Sequence, residues 1–168
     1  CNQGVLNLGI GNNRVTVPGG FGALAKERFD RDILMQNGVK KVIIFEGVND
    51  IGAARSGSSE TVARQIIESI QGMVKKAKAR KMKVYLGTIT PFKGAGYYTH
   101  FHEAARLYVN DWIRSQAKNV DGILDFAKLL QDPNDDRRMK REYASSDWLH
   151  PNPTGYKAMG IYAADIVK

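Results

Sequence analysis

Cysteine occurs once in these 168 residues, as Cys1, so no disulfide can form within the chain and the redox compartment is left open. We read that thiol as an accident of where the chain starts. Long apolar runs are also missing. No stretch approaches the roughly 18–20 residues of a membrane-spanning helix, and no membrane partner is expected. No leader is visible either, but the chain opens at Cys1 rather than Met, so its absence excludes no export signal. There is no internal repeat, low-complexity tract or domain linker. No Gly-rich loop opens a helix to cradle phosphate, which disfavours a flavodoxin-like nucleotide- or cofactor-binding module. Histidine is scarce: His100, His102 and His150 are all there are. His100 and His102 stand two apart at a helix start and share no face. Without a third ligand they are expected in surface or core roles, not at a metal.

Acidic residues are outnumbered, 17 against 25 Lys and Arg, for a formal charge of +8. Nucleic acid is the obvious partner for such a surface, but the cations do not organise one. Lys75, Lys76, Lys78, Arg80, Lys81 and Lys83 lie in and after a helix whose other face is apolar, and Arg137, Arg138, Lys140 and Arg141 lie in a polar loop. No aromatic-rich strand accompanies either run as a stacking platform. Solvated surface is the expectation, with no nucleic-acid partner.

The composition, 43% hydrophobic, is enough for one cored domain over 1–168. Strand-like and helix-like segments alternate. Strands are expected at Val5–Ile10, at Val42–Phe45 (an unbroken apolar run covered on both faces), at Val84–Ile89 and at Gly122–Phe126. Helices are expected from Phe21 to about Gln36, from Glu60 to about Arg80 with Ser59 as cap, from Thr99 as cap to about Gln116, and after Asn152 and Pro153. Their inward faces are Val62, Ile66, Ile70, Met73, Val74 and Ala77; Ala105, Tyr108, Val109, Trp112 and Ile113; and Ala158, Ile161, Tyr162 and Ile166. Asp132 to Arg141 reads as a long charged loop. Alternation of this kind implies βαβ units, a parallel sheet and a three-layer α/β/α sandwich. Ligands then bind at the carboxyl ends of the strands, where Gly11, Asn12 and Asn13, Gly47, Asn49 and Asp50, and Thr88, Thr90 and Pro91 fall, with His150 just before the last helix.

Asp147 stands three residues before His150 on a turn leading into a helix, a spacing that lets a carboxylate orient an imidazole as a general base. Asn49, on the loop after a buried strand, can donate its amide to a developing oxyanion. Trp148 and Tyr98 are equally readable as lining of an acyl or sugar site and as ordinary core.

Three blocks carry a resemblance: Asn7-Leu8-Gly9-Ile10-Gly11-Asn12-Asn13-Arg14-Val15, Gly47-Val48-Asn49-Asp50 and Asp147-Trp148-Leu149-His150. In this order they resemble the second, third and fifth blocks of the SGNH hydrolases, the GDSL-type esterases and lipases. The runs Gly20–Leu24, Phe29–Asp32 and Glu46–Gly52 are similar to bacterial arylesterase and acetylxylan-esterase-like members. The resemblance implies a flavodoxin-like sheet of order 2-1-3-4-5 and ester hydrolysis through an acyl-serine intermediate, with no metal or cofactor. It implies His150 as general base, Asp147 as its orienting carboxylate, and Asn49 with the backbone N–H of Asn12 as oxyanion donors. The substrate class it implies is a small-molecule or polysaccharide ester, plausibly an acetylated carbohydrate. Export to the periplasm or medium is implied by relatives alone.

Two departures stand out. Asn12 occupies a position where the family usually has Gly; if the backbone there needs a positive φ, Asn is the least costly substitute. The Gly-Asp-Ser block that holds the nucleophile has no counterpart among Ser56, Ser58, Ser59, Ser69, Ser115, Ser145 and Ser146. That block and the first strand are expected upstream of Cys1 or on another chain, leaving a gap between the Val5 and Val42 strands. The alternative is a non-catalytic, carbohydrate-binding member or fragment.

Overall fold

A computed structural model of the chain describes residues 4–167; Cys1 lies outside them. A parallel sheet is built from β1 (Lys41–Ile44), β2 (Lys83–Gly87) and β3 (Gly122–Leu124), in the order β1-β2-β3. Val42 pairs with Val84, and Leu86 with both Ile44 and Ile123.

Alternation along β2 assigns the layers. Val84 and Leu86 are fully buried in one cluster with α1 (Ala25–Phe29), α3 (Ser59–Ala79) and α4 (His100–Ser115). Tyr85 points the other way, into a second cluster with Phe126, Leu130, Met139 and Met159 from α5 (Phe126–Leu130), the end of β5 (Asp135–Met139) and α6 (Pro153–Ile166). That second layer stops short of β1. Ile43 and Phe45 remain 45% and 40% exposed, so the Val42–Phe45 run is covered on one face, not two. Phe45 packs on Gly87 and edge-to-face with Phe126, ring centroids 5.1 Å apart.

α3 buries Val62, Ile66, Ile70, Met73 and Ala77 along one stripe, as its three- and four-residue steps require. The caps divide. Thr99 Oγ1 accepts from His102 N–H at 3.0 Å and Asn152 Oδ1 from Gly155 N–H at 3.0 Å, both as their sequences predict. Ser59 does not cap: α3 begins on it, and its hydroxyl donates to Arg55 O at 3.4 Å.

Other expectations are not met. Residues 4–10 form no strand: Val5 is 91% exposed and Leu6 62%, and nothing pairs with the free edge of β1 among the described residues. Apolar alternation without a partner ladder makes no strand. The helix read from Phe21 starts at Ala25 and passes into a π-helical turn, Asp30–Leu34. The charged stretch after Asp132 is an antiparallel hairpin of β4 (Gln131–Asp132) and β5. Tyr108 of α4 and Ile161 of α6 face outward, 45% and 57% exposed.

Candidate active site

The site forms where chain leaves the carboxyl ends of the strands. Gly47, at φ 113, turns the chain out of β1 into the short helix α2 (Val48–Ala53), which places Asn49 and Asp50 in its first turn. Asp50 is fully buried. Its carboxylate accepts the backbone N–H groups of Val15, Thr16 and Val17 at 2.8–2.9 Å, and so pins the irregular segment ahead of α1 against α2. Asn49 Nδ2 donates to Asn13 O at 3.0 Å. Asn13 ties the same segment to itself, donating to Phe21 O and Ala23 O at 2.6 and 2.8 Å. Asn12 therefore lies directly beside Asn49. Its φ is 51, the left-handed region, and its backbone N–H has no acceptor among the described residues. Its side-chain Oδ1 is buried without a partner there. Gly20 allows the approach of its strand of backbone, since a Cβ there would overlap Asn12 O.

Arg28, nearly buried, is the cation of this corner. It bonds Asn13 Oδ1, Leu8 O and Asp32, and reaches Glu46 Oε1 at 3.5 Å. Glu46 ends β1's exit just ahead of Gly47. Burial pushes its carboxyl up to about 7; the Arg28 charge opposes that rise and the Asp50 charge adds to it.

The Asp147–His150 pair sits on the loop before α6. Asp147 Oδ1 accepts the backbone N–H groups of Leu149 and His150, both at 3.0 Å, and Oδ2 lies 2.7 Å from His150 Nδ1. The turn thus orients the carboxylate, and the carboxylate orients the ring. The His150 hydrogen bond, helped by those N–H groups, holds the Asp147 carboxyl down at about 2. The His150 side chain is 62% exposed, and its Nε2 has no partner among the described residues. Trp148, between the two, has φ 57, an unusual conformation for a bulky residue. Its ring packs on Gly94, where any Cβ would crowd it, and lies under the guanidinium groups of Arg138 and Arg141.

The loop after β2 joins the two halves. Asn110, fully buried, bonds both the N–H and the C=O of Ile89 at 2.7 and 2.8 Å and fixes the loop's start. Gly94 then meets Trp148, and Tyr97 Oη donates to Asn49 Oδ1 at 3.3 Å. Tyr98 packs edge-on between Phe92 and His100. His102 is buried with its ring between Tyr97 O and Ala54 O, while His100 is exposed. Ser145, one of the two serines just ahead of Asp147, donates its hydroxyl to Pro151 O at 3.2 Å. Arg28 and Tyr97 were not singled out as site-building residues by sequence, and Asp50 only by its place after a strand, without its role. Apart from Asp32, four residues from Arg28, the side-chain partners that matter lie 15 to 48 residues away, with no local motif to flag them.

Residues 2–158 match the GDSL-like lipase/acylhydrolase family. The chain belongs to that family. Its hydrolase assignment and its α/β fold, a parallel sheet flanked by helices, follow from that membership and from solved structures. A lipolytic G-D-S-L family protein from Desulfitobacterium hafniense DCB-2 is similar over 84% of this chain and 73% of its own, at 28% identity and a TM-score of 0.66. A GDSL-like lipase from Bacteroides thetaiotaomicron VPI-5482 is similar over 83% of this chain and 67% of its own, at 21% identity and a TM-score of 0.67, a likeness of fold. No curated protein matches the chain.

Proposed function

We propose that this chain is the base-and-oxyanion part of a serine esterase that removes small acyl groups, acetyl on carbohydrate foremost, through an acyl-serine intermediate. The observation that carries the reading is the Asp147–His150 pair: Nδ1 is committed to the carboxylate at 2.7 Å, which leaves Nε2 to take a proton. The serine hydroxyl gives its proton to Nε2 as Oγ attacks the ester carbon. The oxyanion is met by the second N–H of Asn49 Nδ2 and the backbone N–H of Asn12. His150 then passes the proton to the departing alcohol, and water repeats the sequence on the acyl-enzyme. The nucleophile belongs to a Gly-Asp-Ser segment running as a strand along the free edge of β1, carried upstream of Cys1 or on a second chain. The position of β1 at the edge of the sheet, with β2 on one side and no described strand on the other, supports that placement.

The test is turnover of 4-nitrophenyl acetate with a Gly-Asp-Ser-bearing strand present at the N-terminus. His150→Ala should lower kcat by several orders of magnitude, and Asn49→Ala by about 10²–10³, the usual effect of one oxyanion donor. Wild-type rates in both variants end the assignment.

A further inference from the structure

We propose that Tyr97 is a positioning residue for the oxyanion donor Asn49, an inference that rests on the esterase reading above. A side-chain amide serves an oxyanion only if its NH₂ end faces the reacting carbonyl, and an asparagine can present either end. One partner decides the matter here, and a second holds the result. Asn13 O can only accept, so it takes an N–H from Asn49 at 3.0 Å. Tyr97 Oη supplies a hydrogen to the Asn49 oxygen at 3.3 Å. A reversed amide would set oxygen against the Asn13 carbonyl, lose that bond, and leave Tyr97 Oη to accept instead of donate. With the amide held this way, one N–H goes to Asn13 and the other is left for the substrate. Donation to the amide oxygen also draws charge from the nitrogen, which strengthens its remaining N–H as a donor.

The surroundings are arranged for that contact. Gly52, one turn along α2 from Asn49, is where the Tyr97 ring crosses; a Cβ there would overlap it. His102 holds the Tyr97 backbone, with Nδ1 2.6 Å from Tyr97 O and Nε2 2.9 Å from Ala54 O, just past the end of α2. The same loop carries Gly94 against Trp148, so the element that sets the oxyanion donor also bears on the turn that holds His150. The apolar contacts of Tyr97 account for its ring, but not for a hydroxyl aimed at Asn49.

The experiment has two arms on the full chain. In the first, side-chain amide resonances of Asn49 are followed by ¹⁵N NMR. Tyr97→Phe keeps the ring and should shift the Asn49 NH₂ pair and speed its solvent exchange, with Tm nearly unchanged; Gly52→Ala, which displaces the ring, should do the same. Unaltered Asn49 resonances in Tyr97→Phe overturn the proposal. In the second, on an aryl acetate with the Gly-Asp-Ser-bearing strand present, Tyr97→Phe should lower kcat about 5–10-fold with KM unchanged, the scale of one neutral hydrogen bond. The same change in an Asn49→Ala background should cost nothing further. An additive loss there means that Tyr97 acts elsewhere and overturns the proposal. Loss in Asn49→Ala with none in Tyr97→Phe sinks the Tyr97 role alone. Wild-type turnover in Asn49→Ala sinks the oxyanion reading and this inference with it.

Discussion

Arg28 donates twice to the side-chain oxygen of Asn13, from Nε at 3.1 Å and from Nη2 at 3.0 Å. The pair is what gives the segment ahead of α1 a fixed shape. Asn13 uses its own NH₂ on Phe21 O and Ala23 O, Arg28 uses Nη1 on Leu8 O, and Asn13 O receives Asn49. A stretch without strand or helix is thereby held by side chains in the way a sheet holds a strand by backbone.

Arg28→Ala should therefore destabilise the fold by about 3 kcal/mol, because it leaves Asn13 Oδ1 and Leu8 O without their donor and takes from Asp32 one of its two arginine partners, leaving only Arg31. Arg28→Lys keeps the charge but not the fork, so it should recover less than half of that. Urea unfolding of the two variants against the parent checks both values; a loss under about 1 kcal/mol in Arg28→Ala would show that the corner is not held this way.

Glu46 should make stability pH-dependent. Burial raises its carboxyl from the ordinary 4.5 to about 7 in the fold. A carboxyl whose folded value lies above its unfolded one favours the fold when protonated. Its contribution is thus fully present below about pH 4.5 and is lost as pH rises through about 7. Glu46→Gln keeps the shape and removes the titration, so its stability should fall less than the parent's between pH 5 and pH 8. Parallel curves over that window would place a charged Glu46 in the fold throughout, with Arg28 as its sufficient partner.

Features set by neighbours in sequence were readable, and features set by distant partners were not. Thr99 and Asn152 cap helices through N–H groups three residues on, and Asp147 reaches His150 over the same span. Asp50 collects its three N–H groups from 33 to 35 residues upstream, and Tyr97 meets Asn49 across 48, so neither contact could be seen in a local pattern. The Val5–Ile10 strand failed for the opposite reason. Its alternation is sound, but strand formation is decided by a pairing edge, and residues 4–10 lie off the edge of β1. The β4–β5 hairpin hid behind charge: Asp132 and Asp135 draw Arg138, Arg137 and Lys93 into ion pairs across and beside it.

Asn12 carries a backbone conformation that few residues accept. Its φ of 51 costs an ordinary side chain about 1–2 kcal/mol, and glycine nothing. Asn12→Gly should leave stability near the parent, while Asn12→Ala should lose about 1 kcal/mol, the mark of a glycine-type position filled by asparagine. Chemical denaturation of both variants decides it. Equal stability of the Ala and Gly variants would mean that the turn relaxes to a negative φ.

Asp147→Asn separates orientation from charge at the proposed base, His150. The asparagine oxygen can still accept the N–H groups of Leu149 and His150, so the turn should survive and Tm at neutral pH should move little. The imidazole would lose its carboxylate, and the amide could present an N–H to Nδ1 and select the wrong tautomer. With the nucleophile present, kcat on an aryl acetate should drop by about 10³–10⁴, as for the equivalent change in a serine-protease triad. The acid limb of stability should change too. The His150 hydrogen bond holds the Asp147 carboxyl at about 2, below the ordinary 3.8. Its stabilisation is therefore present above about pH 4 and is lost as pH falls through about 2, a small effect for a side chain 49% exposed. Asn at this position has no such limb. A variant with full turnover would mean that His150 needs no carboxylate and that the Asp147 contact serves the turn alone.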